Sequence, residues 1–184
     1  MNKFRVLLLP GLGNSGPDHW QTHWEQAFPE FVRVIQSEWN IPSAEMWVEQ
    51  LHLQIMSSRT PVILVAHSLA CCLVARWAFA HSGPVAAAFL VAPSDVEAPN
   101  YPSGTTGFSP MPLRSLPFRS LVVASTNDEF VPLARGKQFA DAWGAEYVLL
   151  GDRGHIGSAA KLGMWPEGLA LLNKLSAELS SPVV

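Results

Sequence analysis

The sequence has few of the groups that give small folds covalent or metal support. It has only two cysteines in 184 residues, and these, Cys71 and Cys72, are adjacent within an apolar segment. Neither a disulfide framework nor a C-x-x-C metal or redox site has that spacing. We therefore interpret both as small buried apolar side chains. A chain of this length can bury a core as one domain, residues 1–184, without such support.

Charge and long apolar runs are also scarce. Charged residues make up 15% of the chain, and the formal net charge of −3 gives no basic footprint for nucleic acid. No stretch approaches the ~18 apolar residues of a membrane span. The apolar segment 6–9, behind Lys3 and Arg5, is too short for the central region of a signal peptide. These absences predict a cytoplasmic protein without a nucleic acid or membrane partner.

Apolar, β-branched segments alternate with segments that carry apolar residues at helical spacing. We predict strands over residues 4–9, 31–36, 61–66, 86–92, 118–125 and 146–150. We predict helices over residues 18–28, 43–58, 68–82, 133–143 and 167–179. Strands that are apolar on both faces and alternate with helices are typical of a parallel sheet covered on both sides. The expected fold is α/β: a three-layer sandwich with a mostly parallel sheet of six strands, and any site at their carboxyl ends.

One long irregular segment, residues 93–117, is rich in proline, serine and glycine. Irregular segments of that length in compact domains are usually functional or disordered. We interpret this one as the wall of a binding pocket.

The first predicted strand runs into "PGLGNSG", in which Gly11, Gly13 and Gly16 spell G-x-G-x-x-G. That spacing is the fingerprint of a dinucleotide cradle, and Glu38 stands near the place of the acidic residue that such a site requires. Pro17 argues against a cradle, because it removes a backbone N–H where the phosphate-facing turn needs donors. A nucleotide-dependent oxidoreductase is therefore one alternative.

A serine stands at the junction of the third strand and the next helix, in "VAHSLACC". Ser68 has Ala66 and Ala70 two positions to either side, which resembles the G-x-S-x-G nucleophile elbow of α/β-hydrolases with alanine in both glycine places. The sharp turn requires small flanking residues. It also places the next N–H, that of Leu69, at a helix N-terminus, where negative charge is stabilised. The alternative is that Ser68 only caps the helix.

An acid and a histidine follow in the order that this fold requires. Asp128 follows the fifth strand in "LVVASTNDEFVP", and His155 follows the sixth in "YVLLGDRGHIGS". Histidine titrates near neutrality and can take the serine proton, while a carboxylate fixes the imidazole tautomer. We predict that Ser68, Asp128 and His155 are the catalytic residues. Other candidates for the acid are Glu129, Asp95 and Asp152.

The glycine loop then has a second explanation. In this fold, one oxyanion donor is a backbone N–H from the loop after an early strand. Glycines let that loop turn its amides toward a ligand. We assign the oxyanion hole to the N–H groups of Leu12 and Leu69, with Gly13 as the alternative to Leu12.

Over nearly its full length the chain resembles the small serine hydrolase family that includes retinoblastoma-binding protein 9, a compact branch of the α/β-hydrolases. The resemblance lies in the short length, the start at "VLLLPGLGNSG" and the segments "HWQTHWE", "VAHSLA", "STNDEFVP" and "GHIG". It implies a fold without a cap domain, a triad at Ser68, Asp128 and His155, and no cofactor. The family is named after a partner contact through L-x-C-x-E. Here residues 69–73 end in leucine, so we do not carry that partner over.

His19 and His23 lie four residues apart on the first predicted helix, a spacing that suits two metal ligands. A third histidine and the glutamate of H-E-x-x-H are missing, so we predict no metal site. We interpret His67, beside the serine, as structural. The residues that we expect to line a substrate pocket near the oxyanion loop are Gly13, His19, Trp20 and Trp39.

The sequence therefore predicts a carboxylesterase-like serine hydrolase that cleaves a small ester, thioester or amide through an acyl-enzyme. A domain of this size has little room for a deep channel, so short acyl chains are the expected substrates. The alternative from another class is a protein-binding module that keeps the fold without the chemistry, because fold does not imply function.

Overall fold

The computed structural model of the chain describes residues 3–179, which form a parallel sheet with helices on both faces. The strands are β1 (Arg5–Leu9), β2 (Phe31–Arg33), β3 (Val62–His67), β4 (Val85–Val91), β5 (Arg119–Ser125) and β6 (Glu146–Leu150). The helices are α1 (Trp20–Ala27), α2 (Ala44–Met56), α3 (Leu69–Ala80), α4 (Leu133–Trp143) and α5 (Pro166–Glu178). No helix within residues 3–179 is long and apolar enough to cross a membrane. The predicted α/β architecture is confirmed.

The strand order in the sheet is β2-β1-β3-β4-β5-β6, and all neighbouring strands are parallel. From β1 the chain moves outward to β2 and then returns to the other side of β1 with β3. Open parallel sheets bind ligands beyond the carboxyl ends of their strands where the order reverses in this way. The loops after β1 and β3 therefore face one crevice.

The strands bury side chains on both faces, because alternate residues of a strand point in opposite directions. In β1, Leu7 and Leu9 belong to the core under α2, α3 and α4, whereas Val6 and Leu8 belong to the core under α1 and α5. Two buried layers on one sheet explain why the strands read as continuous apolar runs.

The edge strand β2 is shorter than the predicted 31–36. The N–H of Val34 still donates to the carbonyl of Leu8, but Ile35 is 60% exposed and no longer part of the strand. An edge strand pairs with a neighbour on one side only. Its apolar sequence pattern can therefore continue beyond the last residue that is paired in the sheet.

Segment 93–117 has no helix or strand of its own, but it is fixed to the body of the fold. The guanidinium of Arg76 donates to the carbonyls of Phe108 and Pro110, at 3.1 and 2.6 Å. Nε1 of Trp143 donates to the carbonyl of Pro112 at 2.8 Å. The segment is therefore held against α3 and α4 as it passes from the carboxyl end of β4 to the start of β5.

Candidate active site

Ser68 is the single residue between β3 and α3, and its backbone is strained. Its φ of 59° and ψ of −124° form a combination that residues with a side chain rarely adopt and that clusters at functional sites. The N–H of Ser68 donates to the carbonyl of Val91 at 2.9 Å, which ties the turn to β4. The side chain makes no capping bond to α3, so the helix-cap interpretation is wrong.

The first glycine of the opening loop lies directly against this turn. A Cβ on Gly11 would stand 2.8 Å from Cβ of Ser68 and 2.9 Å from the carbonyl oxygen of His67. Ala66 and Ala70, the small residues on either side of the serine, are fully buried. The close contact with the serine turn therefore explains why position 11 is a glycine, and no bound phosphate is needed to explain it.

Ser68, His155 and Asp128 form a continuous chain of hydrogen bonds. Oγ of Ser68 is 2.7 Å from Nε2 of His155, and Nδ1 of His155 is 2.8 and 2.9 Å from the two carboxylate oxygens of Asp128. Since a carboxylate only accepts, Nδ1 carries the proton and Nε2 accepts from the serine hydroxyl. The Asp128 side chain is 1% exposed and that of His155 15%. This arrangement can take a proton from Ser68 and hold the resulting imidazolium.

The other candidate acids have different partners. Asp95 forms an ion pair with Arg135 at 3.2 Å, and Asp152 accepts a hydrogen bond from the hydroxyl of Thr126. Glu129 lies in the wall of a neighbouring cavity. Among the four acids, the structure places Asp128 against the histidine.

A cavity of about 260 Å³, here called the inner cavity, opens around Oγ of Ser68. Its walls include Leu12, His19, Ser94 and Tyr101. Ser94 and Tyr101 belong to segment 93–117, so the prediction that this segment forms a pocket wall is confirmed. Burial raises the pKa of Tyr101 to about 12, and the phenol therefore stays neutral.

His19 brings an unpaired hydrogen-bond donor to this wall. Its Nδ1 accepts from the N–H of Gln21 at 3.2 Å, so Nε2 carries the proton, and Nε2 has no partner within residues 3–179. Burial, followed by the nearby Arg33, lowers the pKa of His19 to about 3 and keeps the ring neutral. In the described residues, no group of three or more histidine, cysteine or acidic side chains could hold a metal ion.

Comparison with known proteins places this chain in a family. A family profile described as Serine hydrolase matches residues 6–174. The chain belongs to the serine hydrolase family. It is 30% identical to a YdeN-like hydrolase of Pectobacterium atrosepticum, with a TM-score of 0.85 over 96% of this chain and 92% of that one. The resemblance found in the sequence is thus confirmed at the level of the family, and the chain is a hydrolase.

More distant structures share the fold of this serine hydrolase. The ydeN gene product of B. subtilis is 19% identical, with a TM-score of 0.76 over 95% of this chain and 99% of that one. A hydrolase of the α/β superfamily from Xanthomonas campestris is 20% identical, with a TM-score of 0.62 over 96% and 98% of the two chains. No curated protein gives a significant sequence match.

Three residues that we expected in the pocket of this serine hydrolase lie outside the inner cavity. Trp20 turns into the core, where its Nε1 donates to the carbonyl of Ile156 at 2.8 Å. Trp39 packs its ring against Trp47, and its carbonyl accepts from the N–H of Gly13 at 2.9 Å. Since that N–H is engaged, Leu12 is the better candidate for the oxyanion donor. Of the four expected wall residues, the structure places His19 in the wall.

The loop that carries His155 depends on residues that the sequence analysis did not single out. Oδ1 of Asn127 accepts from the N–H of Gly154 at 2.7 Å, and Oγ of Ser125 accepts from the N–H of Arg153 at 2.9 Å. The hydroxyl of Ser125 also donates to Oδ1 of Asn127 at 2.9 Å. The available signal was the polar run "STND" directly after a buried strand.

His67 holds the same loop from the opposite side. Its Nε2 is 2.9 Å from the carbonyl oxygen of His155, and because a carbonyl only accepts, Nε2 of His67 is the donor. Burial lowers the pKa of His67 well below its ordinary value, so the ring is neutral and can keep this role. This hydrogen bond to the carbonyl of His155 supports the structural interpretation of His67.

Proposed function

We propose that the protein hydrolyses a small carboxylic ester, thioester or amide through an acyl-enzyme formed on Ser68. The observation that supports this proposal is the hydrogen-bonded chain from a strained serine through His155 to a buried Asp128. Membership of the serine hydrolase family supports it independently.

In the acylation step, Oγ of Ser68 attacks the carbonyl carbon while its proton passes to Nε2 of His155. The carbonyl oxygen becomes an oxyanion and accepts hydrogen bonds from the N–H groups of Leu12 and Leu69. Leu69 is the first residue of α3, where a backbone N–H has no partner within the helix. When the C–O, C–S or C–N bond breaks, His155 returns the proton to the leaving group.

Deacylation repeats the same steps with water. The water oxygen attacks the acyl carbon, His155 takes its proton, and the collapse of the second oxyanion returns that proton to Oγ of Ser68 as the acid leaves. Asp128 keeps the imidazole in the required tautomer through both steps.

The inner cavity supports a short acyl group. At about 260 Å³ it lies below the ~300 to 1,000 Å³ typical of pockets for drug-sized ligands. Short-chain carboxylesterase activity is therefore the expected reaction, and a clear preference for long acyl chains would contradict this assignment.

The test is labelling with a fluorophosphonate probe followed by intact mass. We expect the wild type to be labelled, Ser68→Ala to be unlabelled, and Ser82→Ala to be labelled like the wild type. Ser82 is a matched control, because it is exposed and precedes β4 at the other end of the sheet. Folded wild-type protein that does not react would instead favour the alternative of a protein-binding module.

A further inference from the structure

A second cavity, here called the outer cavity, adjoins the inner one. It has a volume of about 720 Å³ and is lined by the segment from Asp152 to the start of α5, including Ala159 and Trp165. The two cavities share the wall residues Phe130, His155, Gly157 and Ser158. His155 therefore stands between a small cavity that contains the serine and a larger one.

The position of His155 assigns a role to each cavity. A general acid must be within hydrogen-bond reach of the atom that it protonates, and here that atom belongs to the leaving group. The leaving group must therefore lie on the His155 side of the scissile bond, where the outer cavity begins, and the acyl group occupies the inner cavity.

The charged side chains of the outer cavity set a preference for the ligand. Those that line it are the carboxylates of Glu129, Asp152 and Glu167 and the guanidinium of Arg153. The excess of negative charge disfavours an anionic group. It argues against thioesters of phosphorylated carriers such as coenzyme A.

We propose that the outer cavity is a leaving-group subsite, and that the enzyme acts on short-acyl esters or amides whose leaving group is bulky and neutral or cationic. This proposal rests on the proposed function, because it uses His155 as the general acid.

The size of the leaving group is tested by filling the cavity. Ala159 is exposed, and it lines the outer cavity but not the inner one. In Ala159→Trp we expect kcat/KM for 4-methylumbelliferyl acetate, relative to that for methyl acetate, to fall at least about tenfold from the wild-type ratio. Ala170→Trp is the matched control: Ala170 is exposed on α5 and lines neither cavity, so the ratio should keep its wild-type value.

The charge preference is tested on the wild type, so it does not depend on a variant that folds. The probes are two phenyl acetates of similar size, one with a meta trimethylammonium group and one with a meta sulfonate. We expect the cationic ester to have the higher kcat/KM by about threefold or more, and the difference to shrink as salt is added, because exposed charges are screened. A preference for the sulfonate would overturn the proposal.

The experiments separate failure of this proposal from failure of the proposed function. If Ser68 is labelled by the fluorophosphonate and methyl acetate is hydrolysed, but the ratio in Ala159→Trp matches the wild type, the leaving-group subsite is wrong and the serine hydrolase mechanism stands. If wild-type protein is neither labelled nor active on either acetate, both are wrong.

Discussion

The two halves of the site hold their reactive groups by different means. In the nucleophile half, the loop after β1 and the turn after β3 are in direct contact, with Gly11 against Ser68 and the backbone of Ser68 at a φ of 59°. In the histidine half, the side-chain oxygens of Asn127 and Ser125 accept hydrogen bonds from backbone N–H groups of the loop after β6, and His67 holds the far side of that loop.

This difference predicts different responses to mutation. Van der Waals contact between backbones leaves no room for an added atom, so a change in the nucleophile half displaces the serine as a whole. Hydrogen bonds that share one loop can be removed singly, and each loss moves His155 by a smaller amount. Asp128 is the exception in the histidine half, because it touches the imidazole itself.

The largest effect is expected from a change at Asp128. Asp128→Asn keeps the shape of the side chain but favours the wrong imidazole tautomer, so kcat/KM for a short-chain ester should fall by about 10⁴-fold. Asp141→Asn is the control, because Asp141 pairs with Lys137 on α4 and lines neither cavity. Little change in Asp128→Asn would show that the acid has been assigned wrongly.

The next effect tests the nucleophile half. Gly11→Ala places a Cβ 2.8 Å from Cβ of Ser68, which forces the serine turn to shift. A displacement near 1 Å costs on the order of 100-fold in rate, and we expect a loss of that size in the rate constant for fluorophosphonate labelling.

Gly16→Ala provides the matched control in the same loop. A Cβ on Gly16 has nothing within 4 Å, so the labelling rate should stay near that of the wild type. Circular dichroism shows whether each variant is folded. Equal labelling rates in folded Gly11→Ala and Gly16→Ala would contradict the role given to backbone contact.

A smaller effect is expected in the histidine half. Asn127→Ala removes the acceptor of the Gly154 N–H and of the Ser125 hydroxyl, but that hydroxyl has a second acceptor in the carbonyl of Gly151 at 3.3 Å. The net loss of one bond, about 1.4 kcal/mol, corresponds to about tenfold in kcat/KM. Thr126→Ala removes an exposed hydrogen bond from the neighbouring position and should have little effect. If Asn127→Ala were as severe as Asp128→Asn, the histidine half would not respond in a graded way.

The smallest effect concerns stability rather than activity. The pKa values of His19 and His67 are lowered by burial, His19 to about 3, whereas an unfolded histidine titrates near ~6.5. Below that pH the unfolded state binds more protons, so the stability is fully present above about pH 6.5 and falls as the solution is acidified.

Each of these histidines should contribute a slope of about 1.4 kcal/mol per pH unit to the free energy of unfolding below pH ~6.5. Urea denaturation at several pH values measures the slope, and His19→Gln should remove the contribution of His19 to that slope. An unchanged slope in a folded His19→Gln variant would show that His19 does not stay neutral.

The fold was predictable because its pattern is local and redundant. Strands β3 and β4 have almost every side chain buried, so their apolar runs are unambiguous, and helices of regular spacing separate them. The edge strand β2 was predicted too long, because nothing in the sequence shows where a ladder with one partner stops.

The catalytic residues were predictable because the order of the strands along the chain decides where these residues lie. Ser68, Asp128 and His155 each follow a parallel strand, and the carboxyl ends of such strands meet at one edge of the sheet. The directions of Trp20 and Trp39 were not predictable, since they depend on which core packs against each ring. The hydrogen bond from His67 to the carbonyl of His155 likewise joins groups 88 residues apart and leaves no pattern in the sequence.

Trapping the acyl-enzyme tests most directly whether Ser68 is the nucleophile. The wild type is mixed with 4-nitrophenyl acetate, quenched within the first turnover and examined by intact mass and peptide mapping. We expect one added acetyl group on the peptide that contains Ser68, and none in Ser68→Ala. Turnover of the ester by wild-type protein with no acetyl group on Ser68, or with the group on another residue, would contradict this assignment.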